Sequence, residues 1–441
     1  MKKINELSSA QILSMGYAII MFGGGLLLTL PIATTDGQGM NFLDALFTAT
    51  SAAAVTGLIV ENTVAYFSFF GELVIMCLIQ IGGLGLMIMS TLLALLIGKK
   101  VTLKHRLMIL DDLDQFQLSG VLQLVKYVVA VTFTIEGLGA LILSIRLAQD
   151  MPVGKAVYYG IFHSISAFNN AGFDLFGNSL LNFTSDLTVN LTITSLIILG
   201  GIGFAVIAEV YSKKKFKRFS LQTKMVLSIT LVLIMLSFII FFILEYSNPQ
   251  TMGKLSLKGK LLASYFLAVT PRTAGFATVS MGVLRDSSIF LVILLMFIGA
   301  SPGSTGGGVK TTTLGAIGAV LYSRATGRDD VEIYKRRLNR EIVLDALTVV
   351  ALGLVHVATI TIILTITEEA PFLDLLFETV SAFATVGLST GITAGLSEIG
   401  KVLIIITMYL GRIGPVTLAV AIAEKRHKAN IRYPEEDIMI G

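Results

Sequence analysis

The sequence predicts an all-α membrane protein of four tandem helix–pore-helix–helix repeats, eight transmembrane helices in all, around a central pore. Three observations predict it: a shortage of charge, a regular alternation of basic connections, and a glycine-centred segment that recurs four times. The chain is 54% hydrophobic and 14% charged, whereas soluble domains are about one-quarter charged. Apolar runs of roughly 18 residues or more, the signature of a bilayer-crossing helix, recur along its length.

The first of these runs, Ile12–Leu30, follows a polar lead whose only basic residues are Lys2 and Lys3. It continues into PIATTDG with no convincing small-residue cleavage site, so it reads as a retained helix. Lysine and arginine then cluster in five segments: residues 2–3, KKVTLKHR (99–106), KKKFKR (213–218) with Lys224, the stretch Arg324 to Arg340, and the tail 425–432. These hold 22 of the 33 basic residues, while the alternate connections ATTDGQGMN and DLFGNSLLNFTSD hold none. Positive charge marks the cytoplasmic side, which predicts both termini inside and four out-and-back excursions. The repeats are placed at 1–100, 101–218, 219–325 and 326–441, the last including a cytoplasmic tail. Cys77 is the single cysteine, so no intrachain disulfide forms. His105, His163, His356 and His427 are scattered without metal-ligand spacing and read as ordinary polar residues.

Each excursion carries a piece too apolar for a loop and too short to span. Aligned on one glycine these are FTATSAAAVTGL (47–58), FHSISAFNNAGF (162–173), YFLAVTPRTAGF (265–276) and FETVSAFATVGL (377–388). The glycines are Gly57, Gly172, Gly275 and Gly387, each followed by Leu or Phe and each preceded, ten residues earlier, by Phe47, Phe162, Tyr265 or Phe377. Chance placement among 42 glycines does not account for matched flanks in matched places. A second set of clusters follows 24 to 28 residues later: IGGLGL (81–86), LGGIGF (199–204), IGASPG (298–303) and LGRIGP (410–415). Packing through small residues explains most of these, but not the third, which runs on as GASPGSTGGGVKTTT (299–313). That stretch is a near-miss for a phosphate-binding loop, because Val309 separates Gly308 from Lys310 and the pattern needs lysine directly after the glycine. With no clustered acid, base or nucleophile elsewhere, an enzyme is not expected.

Non-helical backbone at membrane depth survives only when buried in protein or lining a watery cavity. Four short helices, each followed by an extended segment with glycine, close naturally around one axis. Glycine admits the positive φ that turns carbonyls toward that axis, and rings of carbonyls replace the hydration shell of a monovalent cation, as in potassium channels. The predicted ion-binding segments are Val55, Thr56 and Gly57; Asn170, Ala171 and Gly172; Thr273, Ala274 and Gly275; and Thr385, Val386 and Gly387. None of these twelve positions carries a carboxylate, which favours K⁺ or Na⁺ over a divalent ion. The side chains of Asn169, Asn170 and Arg272 are expected to hold the segments from behind.

The third glycine cluster reads as a broken helix: Ser288–Ile298 helical, 299–313 flexible, and Leu314–Tyr322 helical again. A plug in the ion path is expected there, comprising Gly299, Ala300, Ser301, Pro302, Gly303, Ser304, Thr305, Gly306, Gly307 and Gly308. Lys310 and Arg412 are cations at membrane depth, where charge marks function. For Arg412 the readings are a barrier to permeation or a structural cation satisfied by a carbonyl or Glu378; for Lys310, a barrier or a chain snorkelling to the interface. Asp44, Glu136, Asp374 and Glu378 are either structural acids or a focus for cations at an outer mouth, with Glu136 read as structural.

The four repeats, with QIGGLG, TPRTAGF, SPGSTGGG, LGRIGP and the terminal NIRYPEEDIMIG, resemble the Trk/Ktr/HKT superfamily of potassium transporters, and within it the KtrB/KtrD-type membrane subunits of bacteria. The resemblance covers essentially the whole chain. It implies a homodimer in the bacterial plasma membrane that takes up K⁺, often assisted by Na⁺, with the four glycines as selectivity filter. It also implies that 299–310 and Arg412 form the gate, and that the C-terminal residues sit at the dimer interface. A cytosolic nucleotide-binding ring of the KtrA/KtrC kind is the implied regulatory partner; no covalently bound cofactor and no nucleic acid are implied. Glycine at all four filter positions is similar to K⁺-selective members, and serine at the first is associated with Na⁺ preference. The loop's Pro302 and triple glycine look more like Trk-type loops than like some Ktr ones. The alternatives are a Na⁺ or poorly selective monovalent-cation channel or symporter, and a coupled transporter for an organic solute. The latter calls for inverted halves with matching broken helices, whereas this sequence predicts parallel repeats and one broken helix.

Overall fold

The computed structural model describes residues 9–86, 88–89, 121–328, 330–414, 436 and 439. The basic segments at 99–106 and 425–432, the terminal motif's interface role, His105 and His427 therefore lie outside the described residues, as do Lys2 and Lys3.

Four long helices lead the repeats: Ser9–Leu28, Val121–Leu147, Leu221–Glu245 and Arg340–Thr367. Each contains a stretch of 19 to 28 residues apolar enough to cross a bilayer. Their exposed faces are hydrocarbon, with Ile19 and Phe22, Leu138 and Leu141, Leu231 and Leu236, and Ile362 and Ile366 turned outward. Ser14, Thr132, Thr230, Ser237 and Thr361 face inward and are buried. This is a soluble protein's pattern turned inside out, as a lipid solvent requires. The chain is a multi-pass membrane protein.

After each long helix comes a short one: Phe42–Ala53, Val153–Phe168, Leu257–Val269 and Phe372–Phe383. Their starts are set by local chemistry. Asn41 and Ser256 accept hydrogen bonds from first-turn amides, and Pro152 and Pro371 occupy the corresponding positions in the other two. Their buried sides carry Phe47, Phe162, Phe266 and Phe377, all fully enclosed. The third of these is Phe266, not the expected Tyr265. Pro271 lacks the N–H needed to extend that helix, which stops at Val269, six residues before Gly275 rather than four. Spatial equivalence in the third repeat is thereby shifted by one residue.

The trailing helices depart further from expectation. They are Phe69–Leu84, Leu187–Gly201 with Phe204–Lys213, Asp286–Phe297 with Thr311–Ala325, and Glu398–Ile413. Leu187–Gly201 and Phe204–Lys213 meet at a bend of 96°, and the first and fourth trailing helices end at Gly85 and Gly414. Gly85, Gly203 and Gly414 share one conformation, with φ of 86°, 95° and 90° and ψ of 143°, 138° and 135°. Each thus directs the chain out of its helix in the same way, a conformation only glycine adopts without strain. Helices broken in more than the third repeat correct the sequence-based expectation of a single broken one. In the third repeat the break runs from Phe297 to Thr311, helix resuming at Thr311 rather than at Leu314.

A two-stranded hairpin, Glu332–Ile333 with Arg336–Arg337, stands on the basic connection before Arg340. Its Lys335, Arg336 and Arg337 and the 213–218 segment are exposed.

Candidate functional site

The four short helices converge with their C-terminal ends on the segments that hold Gly57, Gly172, Gly275 and Gly387. Each glycine lies against the carbonyl that precedes the glycine of a neighbouring repeat. A methyl group added to Gly57 would lie 2.4 Å from the Ala171 oxygen, on Gly172 3.0 Å from Ala274, on Gly275 2.7 Å from Val386, and on Gly387 2.0 Å from Thr56. The contacts run from the first repeat through the fourth and back, closing a ring.

The backbone of the ring alternates in handedness. Gly57, Gly172, Gly275 and Gly387 have φ of 99°, 74°, 74° and 86°. Two residues earlier, Val55, Asn170, Thr273 and Thr385 also have positive φ, at 57°, 59°, 63° and 51°. For a β-branched residue this is a strained conformation costing on the order of 1–3 kcal/mol. Such strain persists only where surrounding structure imposes it. Left-handed residues at alternate positions cancel the usual strand-like alternation of carbonyl direction, so consecutive carbonyls face one way. The sequence reading anticipated positive φ at the glycines and missed it at the residues two earlier, because Val and Thr carry no propensity signal for it.

Hydroxyls on the last helical turn brace the ring. Ser51 Oγ accepts from the Gly57 amide at 3.0 Å and Ser381 Oγ from the Gly387 amide at 3.1 Å. Ser166 Oγ donates to the Phe173 carbonyl at 2.7 Å and Thr270 Oγ1 to that of Phe276 at 2.5 Å. These four residues were not singled out from sequence. The serine six residues before the glycine was a legible signal in three repeats, hidden in the third by its one-residue slip. Asn169, fully buried, donates to Gln80, Glu136 and the Ile165 carbonyl at 2.8–3.1 Å. Asn170 donates to the Arg272 carbonyl at 3.1 Å and to Thr273 Oγ1 at 3.2 Å. Arg272 is buried, and its Nε has no hydrogen-bond partner among the described residues.

The trailing helices pack their first cluster glycine onto the ends of the short helices. Methyl groups on Gly82, Gly200 and Gly411 would lie 2.2, 1.8 and 2.0 Å from the carbonyls of Ala53, Phe168 and Phe383. Each of those carbonyls belongs to the residue four before a ring glycine. In the third repeat that role is vacated, and the loop 298–310 takes the space. Gly306 lies against Thr273 and Gly307 against Thr385, where methyl groups would come within 2.0 and 2.4 Å of the two hydroxyls. The Thr305 amide donates to Gly200 at 3.3 Å, the Ser301 amide to Gly201 at 3.0 Å, and the Phe204 amide to Gly303 at 3.0 Å. The loop therefore lies across the end of the ring formed by Val55, Asn170, Thr273 and Thr385, and does not hang free.

Lys310 and Arg412 both hold this loop. Arg412 donates to the carbonyls of Thr305 and Gly82, linking the fourth repeat, the loop and the first repeat. Lys310 Nζ donates to the Gly306 carbonyl at 2.8 Å. Glu378 instead accepts from Ser389 at 2.8 Å and from Thr393, and Asp44 pairs with Lys401 at 2.6 Å. Asp374 lies half-buried in the first turn of its short helix. His163 sits in the core with Nδ1 2.7 Å from the Tyr159 carbonyl and Nε2 accepting from the Leu175 amide at 3.2 Å.

Comparison with known proteins agrees with this architecture. The TrkH family, described as cation transport protein, matches residues 9–432. The chain is 46% identical over 431 residues to the Ktr system potassium uptake protein B of Bacillus subtilis, covering 98% of this chain and 96% of the relative. It is 38% identical over 442 residues to the potassium/sodium uptake protein NtpJ of Enterococcus hirae, covering 99% and 98%. The crystal structure of the potassium transporter TrkH from Vibrio parahaemolyticus superposes with a TM-score of 0.74 at 17% identity, over 94% of this chain and 84% of that one. Four helix–pore-helix–helix repeats and a family match over nearly the whole chain lead to one conclusion: the protein belongs to the TrkH family of cation transport proteins and is not an enzyme.

Proposed function

We propose that this chain is the ion-translocating subunit of a Ktr-type system that carries K⁺ into the cell. The repeat bounds are read as 1–100, 101–218, 219–325 and 326–441. The carbonyls of Val55, Thr56 and Gly57, Asn170, Ala171 and Gly172, Thr273, Ala274 and Gly275, and Thr385, Val386 and Gly387 form the filter. The observation carrying this reading is the closed ring of glycine-to-carbonyl contacts with its alternating left-handed backbone. Neutral carbonyls aimed into one space suit a monovalent ion, and helix C-termini behind them add negative potential. Residues 299–308, Lys310 and Arg412 act as the gate, held shut by Arg412 across Thr305 and Gly82. The active form is a homodimer in the bacterial plasma membrane with both termini cytoplasmic. A nucleotide-binding ring subunit of the KtrA/KtrC kind controls the loop.

The test is growth of a K⁺-uptake-deficient bacterium on low K⁺. The chain with its regulatory subunit is expected to restore growth, and deleting 300–309 is expected to raise ion flux. No rescue, or flux unchanged by the deletion, counts against the respective claims. A second reading, poor discrimination between K⁺ and Na⁺, is favoured by the potassium/sodium name of the relative from Enterococcus hirae. Relative K⁺, Rb⁺ and Na⁺ uptake separates the two.

A further inference from the structure

The geometry points to Asn170 and Thr305 as a brace joining the gate loop to the filter, so that the filter's preference for K⁺ over Na⁺ depends on the loop being in place. This rests on the transport reading above. The four residues two before the ring glycines share one strained conformation, yet only the second repeat places an amide there, the others being Val55, Thr273 and Thr385. The backbone alone accounts for asparagine, which tolerates the left-handed region better than most residues. It does not account for what the side chain does. Asn170 is fully buried and uses both ends of its amide. Nδ2 donates to the Arg272 carbonyl at 3.1 Å and to Thr273 Oγ1 at 3.2 Å, within the third repeat's filter segment. Oδ1 accepts from Thr305 Oγ1, which lies 3.3 Å from it and 3.3 Å from the Phe168 carbonyl. One side chain of the second repeat's filter segment therefore touches both the third repeat's filter segment and the loop.

Thr305 ties the loop to three other elements. Its amide donates to Gly200, its hydroxyl lies between Phe168 and Asn170, and its carbonyl accepts from Arg412. Gly306 and Gly307 continue the contact onto Thr273 and Thr385. Withdrawing the loop would remove the donor from Asn170 Oδ1 and unload the two threonines, on the residues that hold the carbonyls in their strained alternation. A filter freed in this way tightens more readily around the smaller ion, and discrimination falls because it depends on how the carbonyl cage is held. Opening and selectivity are coupled through this contact.

The test is uptake of K⁺ and of Na⁺ by proteoliposomes holding the full chain with its regulatory subunit. Thr305→Val removes the hydroxyl with almost no change of shape, and Thr305→Ser keeps it. Thr305→Val is expected to raise the Na⁺:K⁺ uptake ratio by about fivefold, the factor carried by one hydrogen bond of ordinary strength. Thr305→Ser is expected to leave the ratio near that of the unmutated chain, and deleting 300–309 is expected to move it in the same direction as Thr305→Val. A plug without coupling would change the flux of both ions together, so an unchanged ratio in Thr305→Val and in the deletion overturns the proposal. K⁺ uptake by the unmutated chain is the separate check: its absence overturns the transport reading itself, whereas its presence with an unchanged ratio overturns only the coupling. Should Thr305→Val fail to assemble, the deletion decides alone.

Discussion

At the scale of single residues, the ring is built from backbone conformations that side chains resist. Gly57 combines φ of 99° with an approach that would bring a methyl group 2.4 Å from the Ala171 carbonyl. Serine there must both enter the left-handed region, at about 1–3 kcal/mol, and displace the Ala171 carbonyl. Gly57→Ser is accordingly expected to weaken apparent K⁺ affinity by about tenfold, which corresponds to about 1.4 kcal/mol. Rb⁺ uptake against rising K⁺ measures it, and unchanged affinity would remove Gly57 from the filter. The glycines were legible because their spacing repeats. The left-handed Val55, Thr273 and Thr385 were not, since nothing in a valine or threonine announces a conformation imposed by its surroundings.

Among the elements, the trailing helices owe their path to paired glycines. Gly200 admits the Phe168 carbonyl at a distance where a methyl group would lie 1.8 Å away, and Gly203 then turns the chain by way of a 96° bend. Gly23, in the first long helix, has nothing within 4 Å of the same point. Gly200→Ala is therefore expected to destabilise the folded protein by about 1–3 kcal/mol through overpacking, with uptake lost, while Gly23→Ala leaves both essentially intact. Thermal unfolding in detergent alongside uptake in cells checks the pair. Equal behaviour of the two variants would show that the glycine clusters are generic helix packing, which was the sequence-level explanation for them. Pairwise spacing in the sequence located these clusters. It did not reveal that one glycine makes the contact and another, three residues later, breaks the helix.

Across the whole molecule, the ring closes only if the first and fourth repeats meet. Asp44 and Lys401, 357 residues apart in sequence, form a 2.6 Å ion pair with side chains only 18% and 16% exposed. Tyr409 adds a hydrogen bond at 2.8 Å to the Ser14 carbonyl. A mostly buried pair is poorly screened, and removing one partner strands the other charge. Asp44→Asn and Lys401→Met are each expected to lower the unfolding temperature, with the double variant no worse than the poorer single one, a coupling of about 1 kcal/mol or more. Additive losses would mean that the two residues do not act together. Asp44 was read from sequence as either a structural acid or a mouth charge, and its partner, hundreds of residues away, could not be named.

Composition, the alternation of basic connections and the recurring glycine segments determined by themselves that this is a four-repeat membrane protein with a non-helical centre. They do so because lipid leaves few solutions for backbone polar groups, and repetition makes the chosen solution visible four times. The tertiary structure alone decided how the repeats cooperate. The clamp of Arg412 on Thr305 and Gly82 and the bridge from Asn170 to the loop both join residues from different repeats. Such contacts leave no periodic trace in one sequence, because each is made once and only where the ring closes.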